Sequence, residues 1–271
     1  MNNLQQMCLS ACRIAREAGA YIRQERKGFS TERVERKHAH DYVSYVDKGS
    51  EMLIVKALRE LLSESVFITE EATADALSAT SKVDNAPCWV VDPLDGTTNF
   101  IHGFAPYAVS IALIQGDEIL LGMVYEIVSD ECYYAWKGGG AYMNGQQLHV
   151  GSSGLDDALL CLQLPYNSDA YKPVILRLIQ AFYGHVGSIR MMGSAAIALC
   201  YVAAGRLDGY AERYIGKWDY MAGSLIVMEA GGRVTDYDGN AYFMDGGSVV
   251  ATNDVIHQQL LDGVRDAQKT I

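Results

Sequence analysis

The run Asp92-Pro93-Leu94-Asp95-Gly96-Thr97-Thr98-Asn99-Phe100 constrains this chain more than any other feature. It follows Cys88-Trp89-Val90-Val91, a short apolar stretch that predicts a buried strand. Two carboxylates three residues apart therefore stand at a strand end. Pro93 fixes the backbone between them, and Gly96 permits a sharp turn. Thr97 and Thr98 supply hydroxyls and backbone N–H groups where a helix should begin. Carboxylates beside such N–H groups repel a bare phosphate but accept one across a hard divalent cation. The segment reads as a metal-dependent phosphate site. Taken alone, it reads equally as a solvated turn, because Asp, Pro and Gly are common turn formers.

Two further acidic signals bear on that choice. Thr69-Glu70-Glu71 follows Val66-Phe67-Ile68, a short strand whose end can aim a carboxylate at the Asp92 turn. An acid pair opening a helix, favoured by the macrodipole, is its plain structural alternative. Asp219, in Trp218-Asp219-Tyr220-Met221-Ala222-Gly223, reads as a helix N-cap before small residues. Four carboxylates from three strand or helix ends can hold more than one hard cation.

The spacing of Leu4, Cys8, Ala11, Cys12, Ala15, Ala18 and Ile22 predicts a first helix ending near Gly28. The charge-rich stretch Arg23 to Lys37 reads as a solvated helix end and loop. A second helix follows Asp47. Strands are expected at Tyr107 to Gln115, Ile119 to Tyr125 and Glu131 to Trp136, with hairpins at Gly116-Asp117-Glu118 and Asn144-Gly145. Gly138-Gly139-Gly140 reads as a turn, since no Lys-Ser/Thr follows it. Gly151-Ser152-Ser153-Gly154 marks a boundary between an α+β domain at 1–150 and an α/β domain at 151–271. In the second half strands are expected at Leu159 to Leu164, Leu207 to Ala211, Arg233 to Asp236 and Ser248 to Ala251. Helices are expected at Val174 to Phe182, Ser194 to Ala204, Tyr220 to Ala230 and Val255 to Gln268.

A net charge of -11 over 271 residues argues against a nucleic-acid scaffold and leaves an anionic substrate dependent on local cations. No stretch approaches the ~20 apolar residues of a membrane span. Six cysteines without a C-x-x-C pair are expected to be buried free thiols of a cytoplasmic protein. Leu9-Ser10-Ala11-Cys12 resembles a lipoprotein cleavage box, but Met1 to Gln6 carries neither positive charge nor an apolar run.

The motif Trp89 to Phe100 resembles the signature of the inositol monophosphatase family. Trp218 to Gly232 is similar to that family's second signature, and Phe67 to Ala72 to its upstream Gly-Glu-Glu-Ser segment. Gly193-Ser194-Ala195-Ala196 and Ala203 to Gly209 resemble bacterial members. The similarity runs from the first helix to Asn253. It implies a layered αβαβα sandwich of the inositol monophosphatase and fructose-1,6-bisphosphatase type, two or three Mg²⁺ ions, sensitivity to Li⁺ and commonly a homodimer. Residue by residue, it implies that Glu71 is a metal ligand shared between two ions, with Glu70 in support. Asp92 would bridge, Leu94 would offer its carbonyl, and Asp95 and Asp219 would hold the second ion. Asp47 and Thr97 would orient the nucleophilic water. The backbone of Gly96 and Thr97, beside Thr98, would bind phosphate. Two departures stand out: Thr69 replaces the family glycine, and Ala72 replaces a serine whose hydroxyl could support the metal site.

Glu212 precedes Asp219 by the spacing of a family glutamate that binds polyol hydroxyls; its alternative is an ion pair with Arg213. Gly193, Ser194 and Ala195 would form the opposite wall. A small-molecule phosphate ester, inositol-1-monophosphate first, is the implied substrate. Fructose-1,6-bisphosphate, histidinol phosphate and 3′-phosphoadenosine 5′-phosphate are alternatives, as is a regulatory role beside the transcription machinery. His38-Ala39-His40 lacks further ligands for zinc and reads as a surface loop, and His102 as part of the pocket rim.

Overall fold

The structure is a computed structural model and describes residues 2–30, 34–38, 41–72, 86–165, 168–241, 244 and 246–269. The first helix, α1 (Asn2–Lys27), buries Cys8, Ala11, Cys12, Ala15, Ala18 and Ile22 along one face, as the helical spacing requires. A hairpin of β1 (Val34–His38) and β2 (Asp41–Ser44) follows where a loop was expected. Its sequence is too charged to show an apolar alternation. His38 closes β1, so the expected surface loop is a strand there; Ala39 and His40 lie outside the described residues. Helix α2 (Tyr45–Leu61) starts on a capping box: the Ser44 hydroxyl accepts the Val46 N–H, and Asp47 accepts the Ser44 N–H.

Seven strands form the larger sheet in sequence order: β3 (Val66–Thr69), β4 (Cys88–Asp95), β5 (Ala108–Gln115), β6 (Glu118–Glu126), β7 (Glu131–Trp136), β8 (Ala141–Met143) and β9 (Gln146–Gln147). The first pair is parallel and the others are antiparallel. Helix α3 (Thr97–His102) interrupts the run after β4. The expected turn at Gly138 to Gly140 joins β7 to β8, with the Gly138 and Gly140 N–H groups donating to Glu229.

The second sheet contains β10 (Leu159–Leu162), β11 (Ser188–Arg190), β12 (Gly209–Arg213), β13 (Arg233–Thr235) and β14 (Ser248–Thr252) in the order β11-β10-β12-β14-β13. Its helices are α4 (Ser168–Phe182), α5 (Ala195–Ala203), α6 (Lys217–Glu229) and α7 (His257–Gln268). Two boundaries differ from expectation in ways that matter. The strand expected at 207–211 lies at Gly209–Arg213, which puts Glu212 inside it. Helix α6 begins three residues early, so Asp219 is its third residue and Gly216 is the N-cap.

Burial explains the layering. Along β4, Trp89 and Val91 join the core beneath α1 and α2, whereas Cys88 and Val90 join the core around α5 and α6. The sheet is therefore covered on both faces, which is why its strands read as continuous apolar runs. The α5–α6 core also takes Cys161, Tyr210, Val249 and Ala251 from the second sheet. A third core packs α4 and α7 on that sheet's outer face. The order is α1/α2, seven strands, α5/α6, five strands, α4/α7. The chain passes from one sheet to the other near 151–154, but the middle helices bury both sheets in one core. All six cysteines are buried and free. No described helix is long and apolar enough to cross a membrane.

Candidate active site

A β-bulge brings the first two carboxylates together. Residues three apart on a regular strand face opposite ways. Here Asp92 pairs with Ser110 while Asp95 pairs with Ala108, so one extra residue of β4 is accommodated between them. Their partners are two apart on β5 and share a face, and so do the two aspartates. The Leu94 N–H donates to Asp92 Oδ1 at 2.9 Å, and Ser50 Oγ donates to the Pro93 carbonyl at 3.0 Å, which fixes the bulge. Gly96 ends the segment at φ +84°, with the carbonyls of Gly193 and Pro106 each 3.1 Å from where a Cβ would stand.

The second half of the chain completes the cluster. Asp219 Oδ2 accepts the Gly216 N–H at 2.7 Å, closing the cap of α6. Ligand oxygens of Asp92, Asp95 and Asp219 lie within 4.8 Å of one another. Asp95 also caps α5: it accepts the Ser194 hydroxyl and the N–H groups of Ala195 and Ala196, at 3.3 and 3.0 Å. Ser194 thus acts on Asp95 and is not among the residues lining the cavity.

Behind the cluster, Thr97 Oγ1 donates to Asp47 Oδ1 at 2.8 Å and lies 3.0 Å from the Leu94 carbonyl. Asp47 Oδ2 accepts the Ser44 N–H at 2.9 Å. Burial, first among the causes, raises the Asp47 pKa against these hydrogen bonds.

The two upstream acids are placed differently. Glu70, not Glu71, lines the cavity, and its charge helps to raise Asp92. The Glu70 N–H donates to the Val91 carbonyl, extending the β3–β4 ladder by one residue. The Glu71 N–H donates instead to Glu51 Oε2 at 2.9 Å, in α2. The ladder sets which side chain faces the site, and two adjacent glutamates give no sign of it in sequence.

These groups share a cavity of about 370 Å³. Leu94, Gly96, Thr97, Thr98, Asn99, Gly193, Ala195 and Glu212 line it. Gln163, Tyr214, Ile215 and Trp218 also line it and were not singled out from sequence. His102, expected at the rim, is exposed at the end of α3 and absent from the lining. Glu212 makes no pair with Arg213, which donates to Gln268. It accepts the Tyr210 hydroxyl at 2.5 Å, and burial pushes its pKa up to about 7.

Burial raises all three clustered aspartates: Asp95 to about 6, Asp92 and Asp219 well above the usual carboxylate range. Mutual repulsion, with a share from Glu70, adds to the shift. Among the described residues no Lys, Arg or His lines the cavity. The donor atoms these acids offer are all hard oxygens. The set fits Mg²⁺ or a similar divalent cation and is unsuited to a soft metal.

Fold and site together define a layered αβαβα protein with a cluster of carboxylates, from β4 and the first turn of α6, that could hold a cation. The chain belongs to the inositol monophosphatase family, whose model matches residues 3–269. It is 41% identical over 226 residues to an inositol-1-monophosphatase of Mesorhizobium japonicum, covering 83% of each chain. Its identity to the Nus factor SuhB of Escherichia coli K12 is 36% over 257 residues, 94% of each. Among solved structures, the extragenic suppressor protein suhB of Bartonella henselae superposes with a TM-score of 0.87 at 33% identity, covering 96% of this chain and 97% of that one.

Proposed function

We propose that this protein is a Mg²⁺-dependent phosphomonoesterase that hydrolyses inositol-1-monophosphate, or a similar polyol phosphate, to the polyol and phosphate. One observation carries the reading: three carboxylates within 4.8 Å of one another, those of Asp92 and Asp95 buried and that of Asp219 half-buried, share a cavity with Glu212. Asp92, Asp95, Asp219 and Glu70 would hold the ions, with the Leu94 carbonyl beside them. Bound there, Mg²⁺ supplies charge neutralisation and an acidified water.

The remaining work falls to the chain. Thr97 donates its proton to Asp47, which leaves a lone pair on Thr97 Oγ1 to receive a proton from the attacking water. As the water oxygen bonds to phosphorus, the P–O bond to the alcohol breaks, and the alcohol takes up a proton. Gly96, Thr97 and Thr98 line the cavity and would bind phosphate oxygens, while Glu212, also in the lining, would receive the alcohol. A second phosphate on the substrate would meet Glu212 and no cationic side chain among the described lining residues. This favours polyol monophosphates over fructose-1,6-bisphosphate and 3′-phosphoadenosine 5′-phosphate.

A panel of these esters, histidinol phosphate and an aryl phosphate, assayed for phosphate release with and without Mg²⁺, tests the proposal. Inositol-1-phosphate should lead the panel, and absence of release from every ester at saturating Mg²⁺ would refute it. The relatives named as Nus factors motivate a second reading, contact with the transcription machinery. A catalytically silent variant that still complements loss of the chain in its host would support that role. The dimer implied by the resemblance is checked by sedimentation.

Glu212→Ala is expected to raise KM for inositol-1-phosphate by about 10- to 100-fold, the range for hydrogen bonds to a charged group. It should leave an aryl phosphate nearly unaffected; equal losses on both would remove Glu212 from hydroxyl recognition. Li⁺ should inhibit at about millimolar concentration and compete with Mg²⁺, since both are hard cations that seek the same oxygens. Inhibition no stronger than by matched K⁺ would argue against a lithium-accessible site.

A further inference from the structure

We propose that Gln163 recognises a substrate hydroxyl beside Glu212 while bracing the Gly193 wall of the cavity. The inference rests on the polyol-phosphate reading and names a residue for it.

The strand register sets the geometry. β10 and β12 run parallel, with Cys161 opposite Tyr210 and Leu162 opposite Ala211. The Gln163 N–H continues the ladder by donating to the Ala211 carbonyl at 3.2 Å. Gln163 therefore stands level with Glu212 at the same end of the sheet, about 5 Å away across neighbouring strands. Both line the cavity.

The orientation of the Gln163 amide follows from its contacts. Its side-chain oxygen lies 2.8 Å from the Met192 nitrogen and 3.2 Å from the Gly193 nitrogen. Two backbone N–H donors can be received only by the oxygen, which fixes the amide against a flip. Gln163 is 6% exposed. Its NH₂ group makes none of these bonds, and the side chain lines the cavity.

Asn99 grips the same segment from the other side. Its Nδ2 donates to the Met192 carbonyl at 2.9 Å and to the Pro106 carbonyl at 2.8 Å. Gly193, at φ +71°, lies flat against that amide: an added Cβ would stand 2.9 Å from Asn99 Oδ1. Two side-chain amides thus hold the Met192–Gly193 backbone, which continues directly into Ser194 and the α5 cap on Asp95. Glu212 offers acceptors, and Gln163 offers a donor. Side by side, they suit an alcohol with neighbouring hydroxyls, one donating to the carboxylate and the other accepting from the amide. An aryl leaving group has no hydroxyl for either.

The test separates the brace from the donor. Gln163→Glu keeps an oxygen for the two N–H groups and removes the NH₂. Gln163→Met removes both. Inositol-1-phosphate and p-nitrophenyl phosphate are assayed at pH 8 with saturating Mg²⁺, alongside the Tm of each variant. Gln163→Glu should raise KM for inositol-1-phosphate at least tenfold and hold kcat/KM for the aryl ester within threefold. Gln163→Met should lower kcat on both esters. An unchanged ratio between substrates in Gln163→Glu, or a parallel fall on both in a folded variant, would overturn the donor role. A folded Gln163→Met with wild-type kcat on both would overturn the brace, and if that variant does not fold, Gln163→Glu alone decides. A wild-type protein that prefers the aryl ester would instead overturn the polyol reading beneath the proposal.

Discussion

Asp92→Asn is expected to abolish turnover while leaving the fold intact, with phosphate release down at least about 10³-fold, since a catalytic metal ion contributes several kcal/mol of transition-state stabilisation. The family resemblance implies that Asp92 is the bridging ligand, and its carboxylate lies within 4.8 Å of those of Asp95 and Asp219. Asparagine preserves shape and the hydrogen bond from the Leu94 N–H but removes the charge that balances the cations. Stability should respond in the opposite direction. In the metal-free protein the folded pKa values of Asp92, Asp95 and Asp219 lie above their usual values, Asp95 at about 6. The native state then binds more protons than the unfolded chain above pH ~4, and stability falls as pH rises through about 6. Asp92→Asn should flatten that fall and raise the metal-free Tm at pH 8. It should also shrink the Tm increase given by Mg²⁺. Near-normal activity of the variant at limiting Mg²⁺ would show that the metal model is wrong.

Gly122→Val is expected to destabilise the protein by about 3 kcal/mol or more, at the upper end for overpacked cores. Gly122 lies in β6 against α6, where an added Cβ would stand 2.6 Å from the Ala222 carbonyl oxygen and 2.8 Å from its Cα. Both are backbone atoms, so no side chain can swing aside. The helix must move, and Asp219 in its first turn moves with it. Denaturant unfolding should show a lower midpoint, and Mg²⁺ affinity should weaken in whatever fraction stays folded. A variant with wild-type stability and metal affinity would mean that α6 can shift without disturbing the site.

The sequence was most legible where local pattern and burial agree. The helical spacing of α1, the hairpins around β5 to β9 and the strand before Asp92 all follow from runs of apolar residues and turn formers. The acidic cluster of Asp92, Asp95 and Asp219 was legible through carboxylates at strand and helix ends. What stayed hidden depends on pairing. No local signal marks the extra residue between Asp92 and Asp95, because the bulge exists only relative to β5. The choice of Glu70 over Glu71 depends on one more rung of the β3–β4 ladder. Gln163 has no motif around it, and its place beside Glu212 comes from the register of β10 on β12. The β1–β2 hairpin was missed because charged side chains on a two-stranded ribbon leave no apolar signature. Asp219 reads as an N-cap in sequence because an aspartate is a stronger start signal than Gly216, the residue that caps the helix.

Asp95 belongs to the first sheet, yet it caps α5, a helix supplied by the second half of the chain. The amide protons of Ala195 and Ala196 are thereby tied to a carboxylate that also belongs to the acidic cluster with Asp92 and Asp219. Their exchange with deuterated solvent should slow when the ions bind, because the charged form of Asp95 is then favoured and the cap tightens. Two backbone amides, distant in sequence from the Asp92 motif, would thus serve as a spectroscopic gauge of how fully the site is loaded.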